Sequence, residues 1–301
     1  MKIVNIKGGL GNQMFQYAFA LALGKKNPKE RIMIDTQLYH NSFVKEFRGN
    51  NFYHNGFEIK RLFSDANLPI ATWKDIIRVS YYIPNYVFSR AARKFFPKRK
   101  REYLQALTDA YVYDRDVLES NMFSYFDGYW NSLQYFDEYK NDVVDAFKFP
   151  PFDTEENIEF ANKLGKENSV TIHVRRGDYL NIPVYQGLCN LDYYKKAISE
   201  VKGKIKDPVF FVFSNDQEWC RENLKELLEG YEVIYVTNNK GNDSYRDMQL
   251  MTLARCNILA NSSFSWWGAY LNIRKDNIAI VPEKWVNMPC DKLYPNNWII
   301  V

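Results

Sequence analysis

The run His173-Val174-Arg175-Arg176-Gly177-Asp178-Tyr179 follows Val170-Thr171-Ile172, a stretch that reads as a short buried strand. Two adjacent guanidinium groups therefore stand at a strand exit, where parallel sheets bind ligands. Guanidinium matches phosphate oxygens in bidentate geometry and stays charged at any working pH. A pyrophosphate-bearing donor is the first ligand this chemistry suggests. Taken alone, an Arg-Arg pair is more often a charged strand end facing water.

Two further segments shift that balance. Ser214-Asn215-Asp216 follows Phe210-Phe211-Val212-Phe213, and Asn261-Ser262-Ser263-Phe264-Ser265-Trp266-Trp267-Gly268 follows Ile258-Leu259-Ala260. Either could be ordinary helix capping. Together with the arginines they suit a nucleotide diphosphate. Arg175 and Arg176 can neutralise the phosphates, while the hydroxyls of Ser262, Ser263 and Ser265, with the amides opening their helix, add neutral donors. Asp216 can accept from the N1–H and N2–H of guanine, or it can cap a helix or bind water.

At the N-terminus, the strand pattern Lys2-Ile3-Val4-Asn5-Ile6-Lys7 runs into Gly8-Gly9-Leu10-Gly11-Asn12-Gln13 and an apolar helix from about Met14 to Leu23. A dinucleotide fingerprint would need glycine where Met14 stands, and a P-loop would need Gly-Lys-Ser/Thr. The turn is thus a close-approach site of another kind, with the Asn12 and Gln13 amides as donors and acceptors, or simply a connection.

The elements that must position these groups follow from periodicity. Arg31–Asp35 and Tyr125–Trp130 read as strands, and residues 73–88 and 131–147 as helices, the latter on a stripe of Leu133, Phe136, Tyr139, Val143, Val144 and Phe147. Pro150-Pro151 stops regular structure, which places a junction between residues 1–150 and 151–301. Beyond it, helices 155–164, 191–202, 217–228 and 245–255 alternate with strands 169–174, 209–213, 232–236 and 257–260. A helix then begins at Ser265, and strand 278–281 closes the pattern. Such alternation specifies a parallel sheet covered by helices on both faces.

With 46% hydrophobic and 25% charged residues, the 301-residue chain has the composition of a soluble globular protein. Its formal charge of +4 is too small to indicate nucleic-acid binding. Cys189, Cys220, Cys256 and Cys290 show no paired metal spacing and suit a reducing compartment, although two disulfides stay open. With no signal-peptide pattern, a cytoplasmic location is expected. The basic run Arg90, Arg93, Lys94, Lys98, Arg99, Lys100 and Arg101 reads as a solvated face, or as a peripheral contact with an anionic membrane surface or an acidic glycan carrier. Asp114-Arg115-Asp116 matches the Asp-x-Asp signature of metal-using transferases, but it precedes Val117-Leu118 and fits a helix start, where acids are favoured. No metal requirement is expected.

The segments 8–17, 173–179, 213–216 and 261–269 together resemble the α-1,2-fucosyltransferases, and they span nearly the whole chain. Residues 37–102 match no motif. The resemblance implies an α/β, GT-B architecture of two Rossmann-like halves with parallel sheets and a cleft between them. Residues 1–150 would face the acceptor, and 151–301 would bind the donor, GDP-β-L-fucose. It also implies inverting transfer to the 2-hydroxyl of a terminal galactose, without metal or other cofactor. Residue by residue, it assigns the phosphates to Arg175 and Arg176, the base region to Ser214, Asn215 and Asp216, and the pyrophosphate region to Ser262, Ser263, Phe264 and Ser265. His173 and Gly11 join the donor-binding set, and Arg175, Asp178 and Asn12 form the catalytic one. Asp178 is a candidate base, yet its arginine neighbours lower its pKa, so orienting those arginines is an equal alternative, and the departing phosphate could take the proton itself while Asn12 positions the acceptor. Two other readings stay open: a fucosyltransferase of different linkage, and a non-catalytic carbohydrate-binding protein using Trp266 and Trp267 as platforms.

Overall fold

The computed structural model describes residues 1–40, 54–96, 101–166 and 168–301. They form two compact units, Met1–Pro150 with Pro289–Leu293, and Pro151–Met288 with Tyr294–Val301. Each is an α/β unit on a parallel sheet, the two-halved GT-B type of architecture that the resemblance implies.

The first sheet contains β1 (Lys2–Asn5), β2 (Ile32–Asp35), β3 (Glu102–Leu104) and β4 (Tyr125–Asp127), in the order β2-β1-β4-β3 and parallel throughout. Helix α1 (Leu10–Lys26) is buried almost all round, which explains its continuous apolar run, and ends on Lys25 and Lys26, where cations suit the helix dipole. On α1, Phe19 stacks on Trp130 at 4.2 Å between ring centroids. Among the described residues, the further α-helices of this unit are α2 (Ile59–Leu62), α3 (Trp73–Val79), α4 (Tyr86–Phe95), α5 (Arg115–Glu119) and α6 (Lys140–Ala146). The short segment Pro289–Leu293 joins them through Asp291, whose amide donates to the Tyr111 carbonyl at 2.9 Å and whose carboxylate accepts from the Tyr113 amide at 2.8 Å.

Some boundaries differ from expectation. The single helix over 73–88 is two, because Pro84 lacks an N–H and disfavours helical backbone before it. The helix over 131–147 is two 3₁₀ turns and α6, since Leu133, Tyr135 and Phe136 are all buried, and an α-helical stripe cannot bury that spacing on one face. Strand β3 and the two-residue strand Ile299–Ile300 are too short to leave an alternating pattern.

The basic run is not one solvated face. Arg93 is fully buried, donates to the Tyr81 carbonyl at 3.0 and 3.3 Å, lies 3.6 Å from Asp35 and stacks over Tyr125 at 4.3 Å. Arg90 approaches Asp127 at 3.5 Å. Lys98, Arg99 and Lys100 lie outside the described residues. Among the described residues, no helix is long and apolar enough to cross a membrane.

The second sheet contains β5 (Ser169–Val174), β6 (Val209–Ser214), β7 (Val233–Val236), β8 (Cys256–Ile258), β9 (Ile278–Val281) and β10 (Ile299–Ile300). Its order is β10-β9-β8-β5-β6-β7, all parallel. Period-two alternation sorts β6 between two cores. Phe210 and Val212 pack with Tyr194, Ile198 and Cys220 from α8 (Leu191–Lys202) and α9 (Gln217–Asn223). Phe211 and Phe213 pack with Leu164 and Leu250 from α7 (Glu155–Leu164) and α10 (Tyr245–Met251). From β5 the chain steps outward to β6 and β7. It then crosses to β8 on the other side of β5, leading into α11 (Ser263–Tyr270).

At the carboxyl end of the first sheet, the Lys7 ammonium and the Asp127 carboxylate form a buried ion pair. Burial by itself raises the pKa of Asp127, and the nearby charges of Lys7 and Arg90 outweigh it and hold the carboxyl at about 2. Asp127→Asn strands a buried cation, so urea unfolding should show a loss of about 3–5 kcal/mol at neutral pH. Because the folded pKa lies below the ordinary Asp value, this contribution is complete above pH ~4 and fades as pH falls through ~2. The gap between wild type and variant should close over that window.

Candidate functional site

Sheet order brings the three polar strand ends together. β8, β5 and β6 are consecutive, with Ile172 paired to Ile258 and Val174 to Ser214. The loop after β5 leads towards α8 on one face and the loop after β8 towards α11 on the other. Their divergence makes β5/β8 the topological switch point, where open α/β sheets leave a crevice for ligands.

The arginine loop is fastened to the loop after β6. Asn215 Oδ1 accepts from the Arg176 amide at 3.0 Å, and Asp216 Oδ2 accepts from Arg176 Nε at 3.1 Å. The Arg176 guanidinium lies over Trp219 at 4.2 Å. Asp216 also caps α9, its Oδ1 accepting from the Trp219 amide at 3.2 Å. Gly177 has φ +35°, and a Cβ there would come within 2.5 Å of Asn215 Nδ2, so this close approach requires glycine. Arg175 is half-buried, its guanidinium 5.4 Å from the ring of Tyr179, which stacks on Tyr185 at 4.3 Å. The backbone of Asp178 belongs to the 3₁₀ turn Gly177–Asn181; its side chain lies outside the described residues.

His173 is buried beside Phe264, with ring centroids 5.9 Å apart. Its Nδ1 has no hydrogen-bond partner. Burial, reinforced by the charge of Arg175, pushes its pKa down to about 3, so the imidazole is neutral at physiological pH.

After β8, Ser262 Oγ accepts from the Phe264 amide at 3.4 Å, capping α11. Ser265 is buried and donates to the carbonyls of Ala260 and Ser262, both at 3.3 Å, so its hydroxyl braces the turn. Ser263 and Phe264 are half-exposed. Trp266 and Trp267 are fully buried and pack on Tyr270 at 4.6 and 5.5 Å. They are core residues, which removes the sugar platforms of the carbohydrate-binding alternative.

In the first unit, Gly8 has φ +83° and the turn is bound from several sides. Gln16 accepts from the Lys7 amide at 2.7 Å and donates to the Lys7 carbonyl at 3.1 Å. Gln13 is buried, donates to the carbonyls of Gly8 and Gly56 at 3.0 and 2.8 Å, and accepts from the Glu58 amide at 2.9 Å. Its amide is structural rather than available to a ligand. Gly11 is buried and Asn12 half-buried at the opening of α1. Asp114 accepts from the Tyr103 hydroxyl at 2.7 Å and caps α5 through the Asp116 amide at 3.0 Å. Among the described residues, no group of three His, Cys, Asp or Glu side chains is arranged to hold a metal.

Sequence reading missed Trp219, which is the third residue of an ordinary helix pattern. It also missed a fourth polar strand end. Beyond β7, Asn239 donates to Asp247 Oδ1 at 2.8 Å, and Asn157 joins both Asn238 and Asn239 at 3.1 Å. Burial pushes the Asp247 carboxyl up to about 7 despite that hydrogen bond. The Asn238-Asn239 pair at a strand exit was the available signal.

Comparison with known proteins agrees with this picture. The α-1,2-colitosyltransferase of Escherichia coli is 32% identical over 99% of this chain and 97% of its own length. The O-antigen biosynthesis glycosyltransferase WbnK of Escherichia coli is 30% identical over 98% of each. Galactoside alpha-(1,2)-fucosyltransferase 2 of Mus musculus is 25% identical over 96% of this chain and 78% of that protein. The family model described as glycosyl transferase family 11 matches residues 1–301, and the chain belongs to that family.

Proposed function

We propose that this glycosyltransferase binds GDP-β-L-fucose at the β8–β5–β6 edge and transfers L-fucose, with inversion, to the 2-hydroxyl of a terminal galactose. The observation that carries the reading is the clamp on Arg176, a guanidinium held by Asp216 and Trp219 next to Arg175 at a switch point. Breaking the sugar–phosphate bond leaves an oxocarbenium-like sugar and a growing negative charge on GDP. Fixed arginines stabilise that charge more in the transition state than in the ground state. At about 1.5–3 kcal/mol for each charge-assisted contact, the pair supplies several kcal/mol. The half-exposed Ser263 and the amides opening α11 add neutral donors to the pyrophosphate. Asp216 keeps carboxylate lone pairs beyond its bonds to Arg176 and Trp219, which guanine N–H groups can use. His173 offers a neutral ring nitrogen to the donor. The acceptor hydroxyl attacks the opposite face, as in single-displacement glycosidases, with Asn12 positioning it and Asp178 as a candidate base. No metal takes part.

The α-1,2 linkage in the names of the colitosyl and mouse relatives supports the choice of acceptor hydroxyl. The colitosyl relative also favours a second reading, in which the transferred sugar is colitose. A single experiment addresses both: GDP-fucose and GDP-colitose are each supplied with lactose in EDTA, and the product linkage is read by NMR. An α-1,2-fucosylated galactose is expected. Turnover abolished by EDTA would refute metal independence, and a marked preference for GDP-colitose would favour the second reading.

Arg175→Ala should fold normally yet lower kcat by about 10²–10³-fold, as loss of a preorganised donor does; near-normal transfer would remove its assigned role. Gly177→Ala should separate the two loops, weakening GDP in calorimetry without changing the far-UV circular dichroism spectrum. Unaltered affinity would show that the close approach is dispensable.

A further inference from the structure

Helix α4 is built inside out. A surface helix normally turns its apolar stripe inward and its polar face to water. Here the inward stripe is Tyr86, Ser89 and Arg93, all buried. Each is held where it lies. Tyr86 accepts from Asn5 Nδ2 at 2.9 Å, and Ser89 accepts from the Ile83 amide at 2.8 Å and donates to the Ile83 carbonyl at 3.0 Å. Arg93 binds the Tyr81 carbonyl and stacks over Tyr125. The helix cannot roll over without breaking these contacts.

Its outward face carries Phe88 and Phe95, 59% and 68% exposed, and Phe96 follows at 70%. Phe88 and Phe95 lie seven residues apart, about two turns, so they share one line along the helix. Ala91 and Ala92 lie between them. The neighbouring cations Lys94 and Arg101 are exposed. Helix α3 shows the same pairing, with Trp73 exposed and the Lys74 ammonium 5.5 Å from its ring. Across residues 73–101 the sequence holds nine Lys or Arg and one acid, Asp75, which is committed to the capping box of α3.

We propose that this aromatic face of α4 docks on an anionic phospholipid bilayer. Exposed phenylalanines on a short helix suit the headgroup–acyl boundary, and flanking cations suit negative headgroups. A second copy of the chain would set like charges against each other around the same patch, so the charge pattern favours lipid. The contact is therefore aromatic and led by Phe88 and Phe95. Arg90 and Arg93 contribute to the buried network instead.

The test is co-flotation of the full chain with vesicles of phosphatidylcholine alone and of phosphatidylcholine containing roughly a third phosphatidylglycerol. No donor or acceptor is present, so the outcome is independent of the proposed reaction. Binding to the anionic vesicles, weakened by salt, is expected. F88S/F95S should reduce it by about tenfold or more while keeping the wild-type circular dichroism and melting profile. K94E serves as a second variant and should weaken binding with no change in apolar area. Three results would overturn the proposal: failure of the wild type to float with anionic vesicles, equal flotation by F88S/F95S, or a self-associated species in light scattering that the double substitution disperses.

Discussion

The register between β5 and β6 is the constraint on which the second unit depends. Pairing of Val174 with Ser214 sets the loop beginning at Arg175 opposite the loop beginning at Asn215. Only in that register does Asn215 meet the Arg176 amide and Asp216 meet the guanidinium. A slip by one residue would also exchange the faces of Phe211 and Val212, placing each in the wrong core. Core packing thus enforces the register, and the register holds the arginine. A cation fixed in this way meets developing charge without first having to reorganise.

Buried titratable groups show how each surrounding selects a protonation state. Asp127 stays ionised because Lys7 and Arg90 face it, whereas His173 is neutral because burial and Arg175 both oppose its charge. Asp247, which accepts from the Asn239 amide and is buried, is shifted towards neutrality. Around the strand ends of the second unit, positive charge therefore resides on guanidinium groups, and the imidazole adds none. Such a balance suits an anionic ligand over a broad pH range.

Much of the second unit was legible in the sequence. The helices 155–164 and 191–202 and the strands 169–174 and 278–281 have the expected bounds, because long periodic runs are bounded there by polar caps or turns. Strand adjacency was not legible. Nothing local in residues 261–268 says that β8 lies beside β5, since that depends on a crossover from β7. Side-chain availability was equally hidden: Ser265 and Gln13 look like free donors in sequence but are bound to main-chain groups. Trp266 and Trp267 look like platforms and are core. In the first unit the strongest misreading was the basic run, because a charged residue at 93 signals solvent unless a carbonyl, a carboxylate and an aromatic ring converge on it.

The excursion of Pro289–Leu293 into the first unit, followed by the return of Tyr294–Val301 to form the edge of the second sheet, bears on biosynthesis. A ribosome releases the chain from the amino end, so the partners of Tyr111 and Tyr113 and the strand beside β9 emerge only after residues 1–288. Neither half reaches its full set of contacts until residues 289–301 have left the exit tunnel. Cutting the gene at the Pro150-Pro151 junction would therefore leave the amino-terminal fragment without Pro289–Leu293, a piece encoded far from the rest of it, whereas the other fragment would keep every residue of its own unit.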